Sequence, residues 1–364
     1  MADYLHSLKV MDRIAQKLSE MYDQYPYPSP RAECKQFREL ANLLKLFSSE
    51  TEYPLRGKSV LDAGTGTGHR LISAALACKD TSFKGIELSP KPLKIARQSA
   101  VEAGVGNVEF IQANLMQLND RFERQDIVVC MGVLHHLSDP AAGLRQLVRC
   151  VRDDGFLFLY IYGKHGSRGR MRRKRIVSLL AGQEKENFEL GISLVKDLGF
   201  DSFDYGWNMS ADNEESINAL IVDCYLNVHE HQFDVDDITR LFLDSGLAGF
   251  TIYGITAGTT GRLFDTRLQD SSKTRFLATN IQQHLPSARA REAYERLSLL
   301  DRMRIVDEVF QPNGYTIVGF KRDALTTLRR SERLISNATF LEPFAPDPEL
   351  RAGRFGPAIP ACRT

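Results

Sequence analysis

At 364 residues, 43% apolar and 26% charged, with a net charge of +1, the chain has the make-up of an ordinary water-soluble protein with room for a large core. Those values exclude a disordered or fibrous chain and leave no global field drawing it to nucleic acid or an anionic membrane; no apolar run is long enough to span a bilayer, so no membrane association is expected. Six cysteines, at 34, 78, 130, 150, 224 and 362, form no C-x-x-C pair, and Met1–His6 lacks a basic-then-apolar leader, so a cytoplasmic protein with reduced thiols is expected, without a disulfide framework or a zinc site.

In chain order, residues 1–56 read as a helical and aromatic cap, with Met21–Arg31 concentrating tyrosines and prolines that stiffen the backbone. Residues 57–162 alternate strand and helix, the pattern of a parallel sheet wrapped by helices. The predicted strands are Lys58–Ala63, Ser82–Glu87, Val108–Ala113, Asp126–Met131 and Gly155–Ile161. Ser89 with Pro90 opens one helix and Gly104 closes it, while Ser138 or Asp139 precedes another at Pro140. In that second helix Leu144, Leu147, Val148 and Val151 form one apolar face. Residues 163–230 read as a helical insertion that opens on the basic run Lys164–Arg175. Residues 231–322 complete the sheet: Asp234–Phe242 is an amphipathic helix, Phe250–Thr256 and Tyr315–Lys321 are strands, and a second helical insertion fills about 258–313. Residues 323–364 form a C-terminal extension whose end, from Ala345 with prolines at 346, 348, 357 and 360, is expected to be irregular.

Four features fall at the carboxyl ends of successive strands, where an open parallel sheet binds ligands. The first is the turn Asp62-Ala63-Gly64-Thr65-Gly66-Thr67-Gly68, whose glycines let a ligand approach the main chain beside a helix N-terminus. Glu87 follows the second strand and can accept from both hydroxyls of a ribose. Asn114-Leu115 offers a polar edge and an apolar face to an adenine, and Cys130-Met131-Gly132-Val133-Leu134-His135-His136-Leu137 follows the fourth strand. A nicotinamide fold would show G-x-G-x-x-G, whereas a single residue separates the second and third glycines here.

Together, Leu61–Gly68, Gly85-Ile86-Glu87-Leu88-Ser89 and Val133–Pro140 resemble the class I S-adenosylmethionine-dependent methyltransferases. The resemblance covers Gly57–Tyr162 well, and Asp234–Thr256 with Tyr315–Lys321 more loosely. It implies an α/β fold with a doubly wound, mostly parallel seven-stranded sheet, the helical insertions forming a lid. It implies S-adenosylmethionine as cofactor, with Asp62, Gly64, Gly66 and Gly68 at its methionine end and Glu87 on the ribose. Leu88, Asn114 and Leu115 would meet the adenine, and Met131 would join them from the fourth strand. The family more often has Asp where Asn114 stands, which puts the adenine contact in doubt. Similar Tyr-Pro-Tyr-Pro segments fold over the cofactor in such enzymes, so Tyr22 and Tyr27 would wall off the sulfonium by cation–π contact, or else plug the sheet edge.

His136 would lie beside the sulfonium as a general base, or simply cap the following helix. His229 and His231 alternate in the cluster Asp223–Phe233 and are acceptor-pocket candidates; a metal there would need a third ligand that the neighbouring sequence does not offer, so no metal is expected. The expected activity is methyl transfer to a small or medium-sized acceptor, a natural-product intermediate or a peptide, by in-line displacement. One rival is an RNA or protein methyltransferase acting through the basic run 164–175, although a solvated helix face explains that run better and the Asp/Asn-Pro-Pro-Tyr signature is absent, which counts against nucleic acid. The other is a non-catalytic cofactor-binding subunit. Oligomeric state is not legible.

Overall fold

The computed structural model describes residues 2–29, 37–118, 122–182, 184–201, 213–256, 281 and 284–341. Five parallel strands come first: β1 (Ser59–Ala63), β2 (Ser82–Glu87), β3 (Val108–Gln112), β4 (Gln125–Met131) and β5 (Val151–Tyr162). Antiparallel pairing then adds β6 (Gly249–Thr256), β7 (Gly314–Phe320) and β8 (Ala338–Phe340). The sheet order is β3-β2-β1-β4-β5-β7-β6-β8. All seven expected strands are present, and β8 is an eighth, paired to β6 through Gly249–Phe340 and Thr251–Ala338. The order reverses direction between β1 and β4, which opens a crevice at their carboxyl ends.

Strand alternation builds two cores. Val60, Phe83, Ile127, Val129, Phe156 and Phe158 face one side, under helices α2 (Glu39–Thr51), α3 (His69–Ala77) and α4 (Pro90–Glu102). Leu61, Ile86, Val128, Cys130, Leu157 and Leu159 face the other, under α5 (Pro140–Arg149) and α9 (Val235–Leu243). The Asp139 side chain caps α5 by accepting from the Ala142 N–H, and α5 stops at Arg149, so Val151 opens β5 instead of extending the helical face. Asp234 and Asp237 close a capping box at the start of α9.

A third core lies apart from the sheet. Leu18 and Met21 of α1 (Ala2–Gln24) pack with Val177 of α6 (Lys164–Ala181), Phe188, Ile192 and Val195 of α7 (Phe188–Asp197), and Leu220–Leu226, where α8 (Glu214–Ile221) runs into a π turn. The middle of the second insertion and the proline-rich tail fall outside the described residues, as do Cys34 and Cys362. The four cysteines within the described residues are free thiols. No helix among those residues is long and apolar enough to cross a membrane.

Candidate functional site

The glycine turn sits at the crevice and is tied to β2, with the Gly64 and Thr65 N–H groups both donating to the Ile86 carbonyl at 2.9 Å. Gly64 and Gly66 have φ of +79° and +57°, a region L side chains avoid. Space forbids a side chain as well: a Cβ on Gly64 would lie 2.5 Å from Val133, and one on Gly66 would lie 2.6 Å from the Tyr27 carbonyl. Gly68, also at positive φ, is the N-cap of α3.

Glu87 ends β2, 8% exposed. Its Oε2 accepts from the Gly66 N–H and its Oε1 from the Ser89 N–H, both at 2.9 Å. Burial pushes its carboxyl up, and those N–H groups pull it back. Asp62, 1% exposed, is different: neither of its oxygens has a hydrogen-bond partner among the described residues. Burial raises its pKa against the pull of the nearby Arg70 guanidinium and Thr65 hydroxyl. Arg70, in the first turn of α3, donates from Nη1 to the Met131 carbonyl at 3.1 Å, and its buried Nε is unsatisfied. A buried carboxylate with no donor is what a ligand ammonium requires, so the residues present fit an amino-acid-bearing cofactor.

The other expected contacts vary. The Asn114 Oδ1 accepts from the Met116 N–H at 2.9 Å, capping a short turn, and its amide NH₂ remains for a ligand. Leu115 is buried, Leu88 is half-buried, and Met131 packs its side chain into the sheet core while its carbonyl holds Arg70. The N-terminal strap crosses the glycine turn, where Thr67 Oγ1 donates to the Pro28 carbonyl at 2.9 Å. The Tyr22 hydroxyl donates to Asp223 Oδ1 at 2.8 Å and accepts from Asn227 at 3.3 Å. Burial, with the Asp223 charge, holds the Tyr22 and Tyr27 phenols well above the usual range. Tyr22 also feels the Glu87 charge, so the strap links that carboxylate to the segment carrying the histidines.

His136 and His229 meet there. His136 Nδ1 lies 2.9 Å from the His229 carbonyl. A carbonyl only accepts, so Nδ1 carries the hydrogen and Nε2 is the bare, basic nitrogen. That Nε2 is buried and unpartnered among the described residues, and burial lowers the ring's pKa. His135 stacks on Tyr162 with centroids 3.8 Å apart, and its backbone carbonyl accepts from the His231 N–H at 2.7 Å. His229 and His231 face each other with Nε2 atoms 3.0 Å apart, one donating to the other. No cluster of three or more metal-ligating side chains occurs among the described residues.

The basic run divides between two faces, a correction to the solvated helix expected of it. Arg168, Arg172, Arg173 and Arg175 are exposed, but Arg170 and Lys174 turn inward onto Glu230. Arg170 Nη1 also bonds the Cys224 carbonyl at 2.9 Å, and its guanidinium lies 5.0 Å from the Tyr162 ring. The four-residue spacing of Arg170 and Lys174 carries the signal for a shared face; Glu230, sixty positions on, does not advertise its part. Arg70 and Tyr162, which contact this region, were left unremarked by spacing alone.

A family model described as a methyltransferase domain matches residues 60–155. Among curated proteins, the chain is similar to a ubiquinone biosynthesis O-methyltransferase of Paracidovorax citrulli, 34% identical over 126 residues, which is 34% of this chain and 52% of that protein. It is similar too to an uncharacterized protein of Synechococcus sp., 24% identical over 248 residues, 65% of this chain and 59% of the other. The chain spans about half the length of the curated relatives it matches. Among solved structures, PKMT2 from Rickettsia typhi aligns with a TM-score of 0.57 at 15% identity, over 81% of this chain and 55% of that one. Its complex with AdoHcy gives the same score at 13% identity, a likeness of fold.

Proposed function

We propose, from the premise that residues 60–155 form a class I S-adenosylmethionine-dependent methyltransferase domain, that this chain methylates an oxygen of a small or medium-sized acceptor. The observation that carries the reading is His136, pinned through Nδ1 with a bare, buried Nε2. Bound S-adenosylmethionine supplies a methyl group on a cationic sulfur that needs no further activation as a leaving group. Asp62 would receive the cofactor's ammonium, and Glu87 its ribose hydroxyls. Gly64, Gly66 and Gly68 leave room along the methionine end. Leu88, Leu115 and the Asn114 amide would bound the adenine, with Met131 beneath and Tyr22 and Tyr27 closing the front.

The chain's own residues then have two tasks. The Tyr22–Asp223–Asn227 bonds hold the strap shut and keep water from the crevice. His136 Nε2 takes the hydroxyl proton as the acceptor oxygen forms its bond to carbon, and becomes an imidazolium that Glu230 and Asp223 favour by charge. His229 and His231 fix the loop whose carbonyl orients His136. An acceptor with an acidic hydroxyl suits a base of lowered pKa, and the names of the curated relatives support oxygen as the atom.

The test is His136→Asn, which keeps a donor for the His229 carbonyl and removes the base. With protocatechuate and simpler phenols as acceptors, turnover is expected to fall by about 10²–10⁴. Affinity for S-adenosylhomocysteine should be unchanged by calorimetry. Undiminished turnover would remove His136 from the chemistry, and inactivity of the wild type on every phenol would remove a phenolic oxygen as the acceptor.

A further inference from the structure

Helix α6 carries seven lysines and arginines and no acidic residue, in a chain whose net charge is +1. Three of the seven are neutralised: Arg170 and Lys174 by Glu230, and Lys164 by Asp234 and Asp237. The other four, Arg168, Arg172, Arg173 and Arg175, are exposed, and none forms an ion pair among the described residues. The same outer face presents Ile176, Leu179 and Leu180 to solvent at 43%, 74% and 57% exposure. Positions 168, 172, 175 and 179 recur at helical spacing along one line, and 176 and 180 lie beside it. Basic residues thus occupy the first part of the face and bare aliphatic residues the second.

From this juxtaposition we propose that the outer face of α6 docks the protein onto an anionic lipid surface, the aliphatic side chains entering the headgroup boundary and the arginines pairing with lipid phosphates. A helix lying in a membrane interface has this composition, apolar side chains beside cations that no carboxylate neutralises. Nucleic acid would engage the arginines and leave three large aliphatic side chains in water. The inner face of α6 meanwhile holds Tyr162 through Arg170, next to His135. Docking would therefore set the wall of the catalytic crevice against the bilayer. The proposal goes beyond the methylation reading, because lipid binding can be measured without acceptor or turnover.

The experiment is co-sedimentation of the full chain with phosphatidylcholine vesicles and with vesicles containing about one-third phosphatidylglycerol. Binding is expected only to the second and should weaken as salt rises. Arg172→Glu/Arg175→Glu and, separately, Leu179→Ser/Leu180→Ser should each lower the partition coefficient more than about tenfold. Both variants should keep wild-type affinity for S-adenosylhomocysteine, which certifies their fold; Arg172→Gln/Arg175→Gln replaces the first where charge reversal unfolds the helix. No preference of the wild type for phosphatidylglycerol would overturn the proposal. So would loss in the arginine variant with undiminished binding in the leucine variant, above all if the wild type retains duplex RNA equally well, which would reassign the face to nucleic acid.

Discussion

Glu87 and Asp62 show how neighbouring carboxylates are prepared for different partners. Glu87 is preorganised by two main-chain N–H groups, whereas Asp62 waits for a donor beside Arg70. Charge-assisted hydrogen bonds are worth roughly 1.5–3 kcal/mol, so Glu87→Ala should weaken S-adenosylhomocysteine binding about tenfold to a hundredfold, with Glu87→Gln milder. Calorimetry with equal affinity for Glu87→Ala and wild type would refute the ribose placement. The histidines give a pH prediction. Burial lowers the folded-state pKa of His135 and His136 below the ordinary 6.5, so the folded chain keeps them neutral while the unfolded chain takes up protons. Stability should therefore fall as pH drops below about 6.5, and His136→Asn should flatten part of that slope in urea titrations. By the same sign, the acidic limb of kcat/KM should lie below 6.5, since the base stays unprotonated to lower pH. His136 itself was legible from its place after the fourth strand. Its tautomer was not, because the carbonyl that sets it belongs to a residue 93 positions away.

At the scale of elements, α6 depends on a charge cluster that its own sequence half reveals. Arg170 and Glu230 have side chains 7% and 1% exposed, and removing one partner of a buried pair costs about 3–5 kcal/mol. Glu230→Leu strands both Arg170 and Lys174 and should destabilise the chain by that order, and Arg170→Met with Lys174→Met in the same chain should recover much of the loss, as read from urea midpoints. Glu230 is held well below the usual carboxylate range by Arg170 and Lys174, despite its burial. Its contribution is thus complete above the ordinary value of 4.5 and is lost as pH falls below it, a slope that Glu230→Gln should remove. The N-terminal strap offers a second case. Gly66→Ala forces an L residue to φ +57° and drives its Cβ to 2.6 Å from the Tyr27 carbonyl. The strap must then lift, and limited proteolysis should cut near residue 27 faster than in the wild type. An unchanged cleavage rate would mean the strap does not rest on the turn.

Across the whole molecule, the central strands were legible because each is a buried run bounded by turn residues, and the glycine turn placed them in order. The three-residue β8 has no periodicity to read, and its register against Gly249–Thr251 is set by contacts nearly ninety residues apart. The node that carries it is equally non-local. Glu50 of α2 accepts from Arg333 and from the Tyr253 hydroxyl of β6 at 2.9 Å, and the Arg333 guanidinium lies 4.5 Å from the Tyr253 ring. The Arg333 and Glu50 side chains are only 8% and 13% exposed, so this is a buried pair joining α2 to the segment that leads into β8. Arg333→Ala leaves the Glu50 charge uncompensated and should cost about 3–5 kcal/mol, lowering the urea midpoint without changing the slope. The glycine turn follows β1, which β4, β5 and β7 separate from β6 in the sheet, so affinity for S-adenosylhomocysteine should survive. Truncation after residue 322 removes β8 as well, baring the edge of β6 and the Phe320–Phe340 contact, and should add aggregation to the lost stability. A truncated chain as stable as the wild type would show that β8 decorates the sheet without supporting it.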